Sequence, residues 1–308
     1  MPLKNFAALY QAADNLENPV SVAVAGGADF TVIQALELAR RRGWITPILT
    51  GDSARIRHMA AEIDIDPAPF QIIEDAPDSA VQAVHAVRSG QAQLLMKGQI
   101  STPSLMKAVL DKATGLRTGK TICQIVLMEI EKDQRSFLMA DTGVTVHPTL
   151  EQKRHLIEFI VETAQSLGAE RPRVGLMSAT EKVTPVLPDT LETEELVKQG
   201  TQNVFGDCLL QGPLSFDLAY ASEAGQRKGI GGEVTGSADA MVFPDLLSAN
   251  LTVKGIMYTA NCRFGGVLRG TTRPVVFMSR ADNVETRLNS LAYALHLPQS
   301  CRFVPDSI

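Results

Sequence analysis

Only four of the 308 residues are cysteine, Cys123, Cys208, Cys262 and Cys301, and no two stand in a CxxC pair. Cysteines scattered in this way argue against a local zinc site or a secreted disulfide framework, and fit reduced thiols in a cytoplasm. The five histidines show no HExxH or other ligand spacing, so no structural metal is expected. No apolar run approaches the roughly 20 residues of a membrane span, and Met1–Asn5 lead into the chain without the apolar core of a signal peptide. A formal charge of −5 gives no global attraction to nucleic acid or anionic lipid. Any polyanionic small ligand must therefore be met by a local cluster of Arg and Lys. The nucleotide-binding signatures are missing too. The turn Ala25-Gly26-Gly27-Ala28-Asp29 has adjacent glycines and no third one, and the stretch from Gly115 to Lys120 is one residue short of a P-loop.

What is present is the composition of a soluble globular α/β protein, with 45% hydrophobic, 20% charged and 5% aromatic residues. Strand-like and helix-like runs alternate: Val20–Ala25, Phe30–Arg42 closed by Gly43, Thr46–Gly51, Ala54–Glu62, Phe70–Ile73, Ser79–Ser89, Gln93–Met96 and a short helix from Ser104. Repeated βα units of this kind predict a parallel sheet covered on both faces. Near Ala140 the pattern changes. A long helix is expected over Pro148–Leu167, then a strand Val174–Ser178, a helix Thr190–Lys198, a strand Ala240–Phe243 and a helix Leu247–Ala260. Gly225–Gly236 reads as a loop. The expected organisation is two α/β domains with a cleft between them, the second beginning near Ala140.

Several strand-end segments could carry chemistry. Pro274–Met278 reads as a buried strand, followed by Ser279-Arg280 and a helix with Asp282 as N-cap and Glu285 completing a capping box. Backbone N–H groups and the positive helix end favour an anion there, and a guanidinium grips phosphate bidentately. The alternative is that Arg280 only pairs at a surface turn. Met96-Lys97-Gly98 follows a strand where open α/β sheets place ligands. Asp141-Thr142 lies at another strand end, with His147 beyond it as either a base or a packed capping residue. Phe243-Pro244-Asp245 leads to Asn250 and, one helical turn later, Lys254. That segment can line a site or be ordinary turn chemistry.

Taken in order, Met96-Lys97-Gly98, Asp141-Thr142…Pro148-Thr149, Gly212–Asp217, Phe243-Pro244-Asp245…Asn250…Lys254 and Ser279-Arg280-Ala281-Asp282 resemble the phosphate acetyl/butyryltransferase family over nearly the whole chain. The lysine and serine-arginine blocks are most similar to its butyryltransferase branch. The resemblance implies reversible acyl transfer between coenzyme A, as a substrate, and phosphate, with no tightly bound cofactor. It also implies a fold like that of isocitrate/isopropylmalate dehydrogenase. Residues 1–140 would join about 268–308 as the first domain, with 141–267 as the second, and the enzyme would be a homodimer binding no nucleic acid and no membrane. Arg280 would hold phosphate and Ser279 would donate to it or to the carbonyl oxygen. Thr142 and Asn250 would donate across the cleft, and Lys97, Lys107, Arg117 and Lys254 are candidates for substrate phosphates. In the acetyltransferase branch an aspartate seven residues after the serine is thought to act as base, whereas this chain has Thr286. Asp282 and Glu285 are then the nearest carboxylates, and Asp282 is the candidate base. Two other readings stand beside this one: a non-catalytic CoA or acyl-phosphate binder, and an NAD(P)-dependent dehydrogenase of the same general fold.

Overall fold

The computed structural model describes residues 2–74 and 78–298; Met1, Cys301 and the end of the expected first domain lie outside the described residues. Two compact units are present. Phe6–Lys120 joins the C-terminal segment from Gly265, and Thr121–Phe264 joins the N-terminal residues up to Asn5. We refer to them as the split unit and the central unit. The change of unit at Thr121 precedes the expected junction near Ala140. The reason is local: the two strands before Ala140 form a hairpin, and both belong to the central unit.

The split unit opens with α1 (Phe6–Asp14), β1 (Val20–Ala25), α2 (Phe30–Arg41), β2 (Ile45–Gly51), α3 (Ser53–Glu62), β3 (Gln71–Glu74), α4 (Ser79–Arg88), β4 (Leu94–Lys97) and α5 (Thr102–Val109). The central unit contributes β5 (Cys123–Ile130), β6 (Arg135–Ala140), α6 (Leu150–Ser166), β7 (Arg173–Met177), α7 (Pro188–Thr201), β8 (Leu209–Leu214), α8 (Phe216–Tyr220), α9 (Ser222–Lys228), β9 (Ala240–Val242) and α10 (Leu246–Thr259). The unit boundary falls inside β10 (Cys262–Arg269), after which β11 (Val275–Val276) and α11 (Val284–His296) complete the split unit.

In the split unit the strand order is β3-β2-β1-β4-β11-β10. All neighbours are parallel except β10 and β11. Val22, Val24, Leu49, Leu94 and Leu95 are fully buried, as strands covered on both faces require. Register then fixes where the chemistry goes. Ala25 is paired with Lys97 and Met96 with Val276, so the turns leaving β1, β4 and β11 line one edge. The helices that follow start on side-chain caps, with Asp29 accepting from the Val32 amide, Ser101 from Ser104 and Asn283 from Thr286. The cap of α11 is thus Asn283 and not the expected Asp282. Thr286 takes the third helical position, and its hydroxyl donates to Asn283 Oδ1 at 2.9 Å.

In the central unit β5 and β6 are antiparallel, and β6-β9-β7-β8 continue in parallel. Ala140 and Leu176 both pair with Val242, so the chain leaves β6, β9 and β7 on a common edge. Met128, Phe137, Met139, Leu218 and Met241 pack beneath it with Ala249 and Val253 of α10. On α6 the residues Leu156, Ile160 and Thr163 are fully buried, as is its C-cap Leu167, as their spacing predicts. The expected loop over Gly225–Gly236 begins instead within α9, which Gly229 ends in a left-handed conformation at φ +64°.

Candidate active-site groups

The edge of the split unit brings three cations together. Lys97 ends β4 with only 2% of its surface exposed, and its ammonium reaches the Gly98 carbonyl at 3.4 Å. Burial first, then the positive charges of Arg287 and Arg280, pull its pKa down to about 8, with Asp282 opposing. Arg287 is fully buried on α11 and donates Nε to Thr31 Oγ1 at 2.9 Å. Arg280 is exposed on the turn after β11. The β1 and β4 turns are packed directly on each other: Gly98 N–H donates to the Ala25 carbonyl, and Gln99 N–H to that of Gly26. A Cβ on Gly98 would lie 2.2 Å from the Gly26 carbonyl oxygen, so the contact needs glycine.

Asp282 closes the turn that carries Ser279 and Arg280. Its carboxylate accepts the Ser279 N–H at 2.6 Å, and its own N–H donates back to the Ser279 carbonyl at 3.3 Å. Ser279 Oγ in turn accepts from the Ala281 amide at 3.3 Å. The two residues expected to bind phosphate are therefore held on a closed four-residue turn, with both side chains exposed. Lys107 sits exposed in the last turn of α5, one helix length beyond the edge. Arg117 bridges to Thr271, past the end of antiparallel β10. That is the opposite edge of the sheet, so Arg117 is not gathered with Lys97 and Arg280.

A second group of candidates forms at the edge of the central unit. Asp141 is 2% exposed, and its carboxylate accepts four backbone N–H groups, from Gln124, Gly143, Val144 and Thr145, at 2.7–3.2 Å. Burial nonetheless raises its pKa above the ordinary carboxylate value, against the lowering by these donors. This cradle fixes Thr142, which is buried and whose carbonyl accepts from Asn250 Nδ2 at 3.0 Å. Asn250 itself rides on α10, whose cap Asp245 accepts the Ser248 amide at 2.8 Å. Lys254 is exposed one turn further on. Beside the start of α10 lies a cavity of about 550 Å³, walled by Met177, Phe216, Phe243 and Pro148 and bordered by His147 and Lys153. Its mix of apolar walls and a few polar groups is that of a small-molecule pocket.

A sequence model of the family described as phosphate acetyl/butaryl transferase matches residues 74–295. The chain belongs to that family. Among its relatives, the phosphate butyryltransferase of Clostridium acetobutylicum is 36% identical over 89% of this chain and 91% of that protein. The phosphate acetyltransferase of Thermotoga maritima is 38% identical over 88% of this chain and 92% of its own. In three dimensions the chain is similar to a branched-chain phosphotransacylase from Enterococcus faecalis V583, with a TM-score of 0.79 at 27% identity over 90% of this chain and 98% of that one. The transferase is thus an enzyme of mixed α/β fold.

Within the transferase, Lys97, Ser279, Arg280 and Asp282 come together in the split unit, and Thr142 and Asn250 come together in the central unit. The residue that sequence reading passed over is Arg287. Its signal was faint, a cation one position after Thr286 in a helix of mixed polar and apolar residues, where the helix face counts more than the local motif.

Proposed function

We propose that the protein catalyses reversible transfer of a short acyl group, acetyl to butyryl, between coenzyme A and inorganic phosphate. The thiol attacks the acyl phosphate directly while both substrates are bound. The observation that carries this reading is family membership over residues 74–295, a span that includes Lys97, Thr142, Asn250 and Arg280.

The residues can be set against the chemistry. The thiol sulfur bonds to the carbonyl carbon, and the carbon–oxygen bond to phosphate breaks. Arg280 and Lys97 neutralise the phosphoryl charge that grows as the bond lengthens, the term that contributes most in such reactions. Ser279 donates to the phosphate or the carbonyl oxygen, and the Asp282 carboxylate holds its turn in place. Asn250, Thr142 and Lys254 are the central unit's own candidates for substrate contacts, and its 550 Å³ cavity has room for an apolar chain. A thiol of pKa near ~8.5 needs little assistance, and the departing phosphate takes up its proton: acyl phosphate dianion plus thiol gives thioester plus hydrogen phosphate. Thr286, buried and donating to Asn283, therefore need not be replaced by another base.

The test is thioester absorbance on mixing the protein with coenzyme A and acetyl, propionyl or butyryl phosphate, without added metal or nucleotide. Turnover with at least one is expected, and the ranking of the three fixes the acyl length. Binding of coenzyme A without turnover on any of them would instead favour a non-catalytic binder.

A further inference from the structure

Arg287 combines three properties seldom found together. It is fully buried, its Nε is spent on Thr31 Oγ1, and among the described residues neither Nη1 nor Nη2 has a hydrogen-bond partner. Thr31 is itself held, donating to Asp29 Oδ1 at 2.5 Å, so the guanidinium is fixed from behind while its outer fork is open. The two carboxylates whose charge reaches it, Asp29 and Asp282, both accept backbone amides, from Val32 and Ser279. Lys97, close enough to feel its charge, is 2% exposed. Two buried cations with so little compensation are costly, because removing a charge from water is repaid only by a partner in good geometry. A chain that keeps such a pair at the carboxyl edge of a parallel sheet is prepared for an anion that arrives with the substrate.

We propose that Arg287 and Lys97 form a buried receptor for the phosphoryl oxygens of the acyl phosphate, lying behind the exposed Arg280. The inference rests on the acyl-transfer reading and names a binding residue for it. A guanidinium fork with two free nitrogens matches two oxygens of a phosphoryl group, and the ammonium supplies a third contact. The pair carries two charges against the two of a phosphoryl dianion. Inorganic phosphate, the other substrate, presents the same oxygens.

The test compares the full-length protein with Arg287→Met, Arg287→Lys and Lys97→Met, reading thermal unfolding with and without inorganic phosphate, and KM for phosphate and for coenzyme A. Phosphate should raise the Tm of the parent protein. Arg287→Met should unfold at or above the parent temperature in phosphate-free buffer, since an uncompensated charge has gone, and should lose the phosphate-dependent rise. Its KM for phosphate should increase by roughly 10–100-fold while that for coenzyme A changes less than about twofold. Arg287→Lys should recover part of the phosphate response. A structural arginine predicts the reverse: a lower Tm without phosphate and an unchanged KM for phosphate. That pattern overturns the proposal. Should Arg287→Met fail to fold, Thr31→Val loosens the guanidinium without removing it, and an unchanged KM for phosphate there is equally decisive against the receptor. A parent protein that neither turns over nor responds to phosphate removes the acyl-transfer reading and this inference with it, whereas normal parent turnover with an indifferent Arg287→Met removes the inference alone.

Discussion

Asn250 donates its side-chain amide to the carbonyl oxygen of Thr142 at 3.0 Å, tying the first turns of α10 to the strand end after β6. Removing the donor by Asn250→Ala should cost about 1 kcal/mol of stability, the usual worth of such a bond. Asn250→Asp should cost more, because it sets a carboxylate against a carbonyl with no proton to share. Denaturant midpoints of the two variants give the order, and an aspartate variant as stable as the alanine one would show that the bond does not anchor the loop.

The Asp141 carboxylate is the larger structural commitment. Asp141→Ala leaves the amides of Gln124, Gly143, Val144 and Thr145 without their acceptor in a buried setting. A loss on the order of 3 kcal/mol or more is expected, with transfer activity falling together with the folded fraction. Urea unfolding followed by circular dichroism would measure it, and a loss below about 1 kcal/mol would contradict the cradle.

Arg280 and Thr286 should separate function from stability. Arg280 is exposed, so Arg280→Ala should leave Tm nearly unchanged while lowering turnover by roughly two orders of magnitude. Thr286→Ala should do the opposite, losing about 1 kcal/mol through its cap contact with Asn283 and little activity. Near-normal turnover in Arg280→Ala would discard its assignment to phosphate.

Lys97 sets a pH dependence of stability. Its pKa is near 8 when folded, against an ordinary 10.5. Between those values the unfolded chain binds the extra proton, so stability rises with pH across the window. The penalty is complete below pH 8 and absent above 10.5. The rise should be on the order of 3 kcal/mol, caused first by burial and then by Arg287 and Arg280, with Asp282 opposing. Unfolding curves of the parent and Lys97→Met across this range provide the check: the slope should flatten in the variant, and an equal slope in both would assign it to other groups.

Much of the split unit could be read from the chain. Val20–Ala25 forms the expected strand residue for residue, and Phe30–Arg41 the expected helix ahead of Gly43, because continuous apolar runs and side-chain caps are local signals. The hairpin of β5 and β6 escaped notice because its antiparallel partner and register are set by tertiary pairing rather than by local spacing. The capping residue of α11 slipped by one position for a different reason: Asp282 and Asn283 are both good caps, and only the closed turn with Ser279 decides between them. Among the site residues, Lys97 and Arg280 were visible as cations at strand ends. Arg287 was not, since nothing local marks which face of a helix meets a neighbouring turn.

The return of the last segment to the split unit carries a consequence for synthesis. β4 pairs with β1 on one side and with β11 on the other, yet Val275 and Val276 are made only after the whole central unit has been assembled. Until then the fully buried residues Leu94, Leu95 and Met96 present an open, apolar strand edge to whatever surrounds the ribosome. A chain stopped after the central unit should therefore aggregate rather than survive as a smaller enzyme, and the nascent protein has good reason to need a chaperone until its final strand arrives.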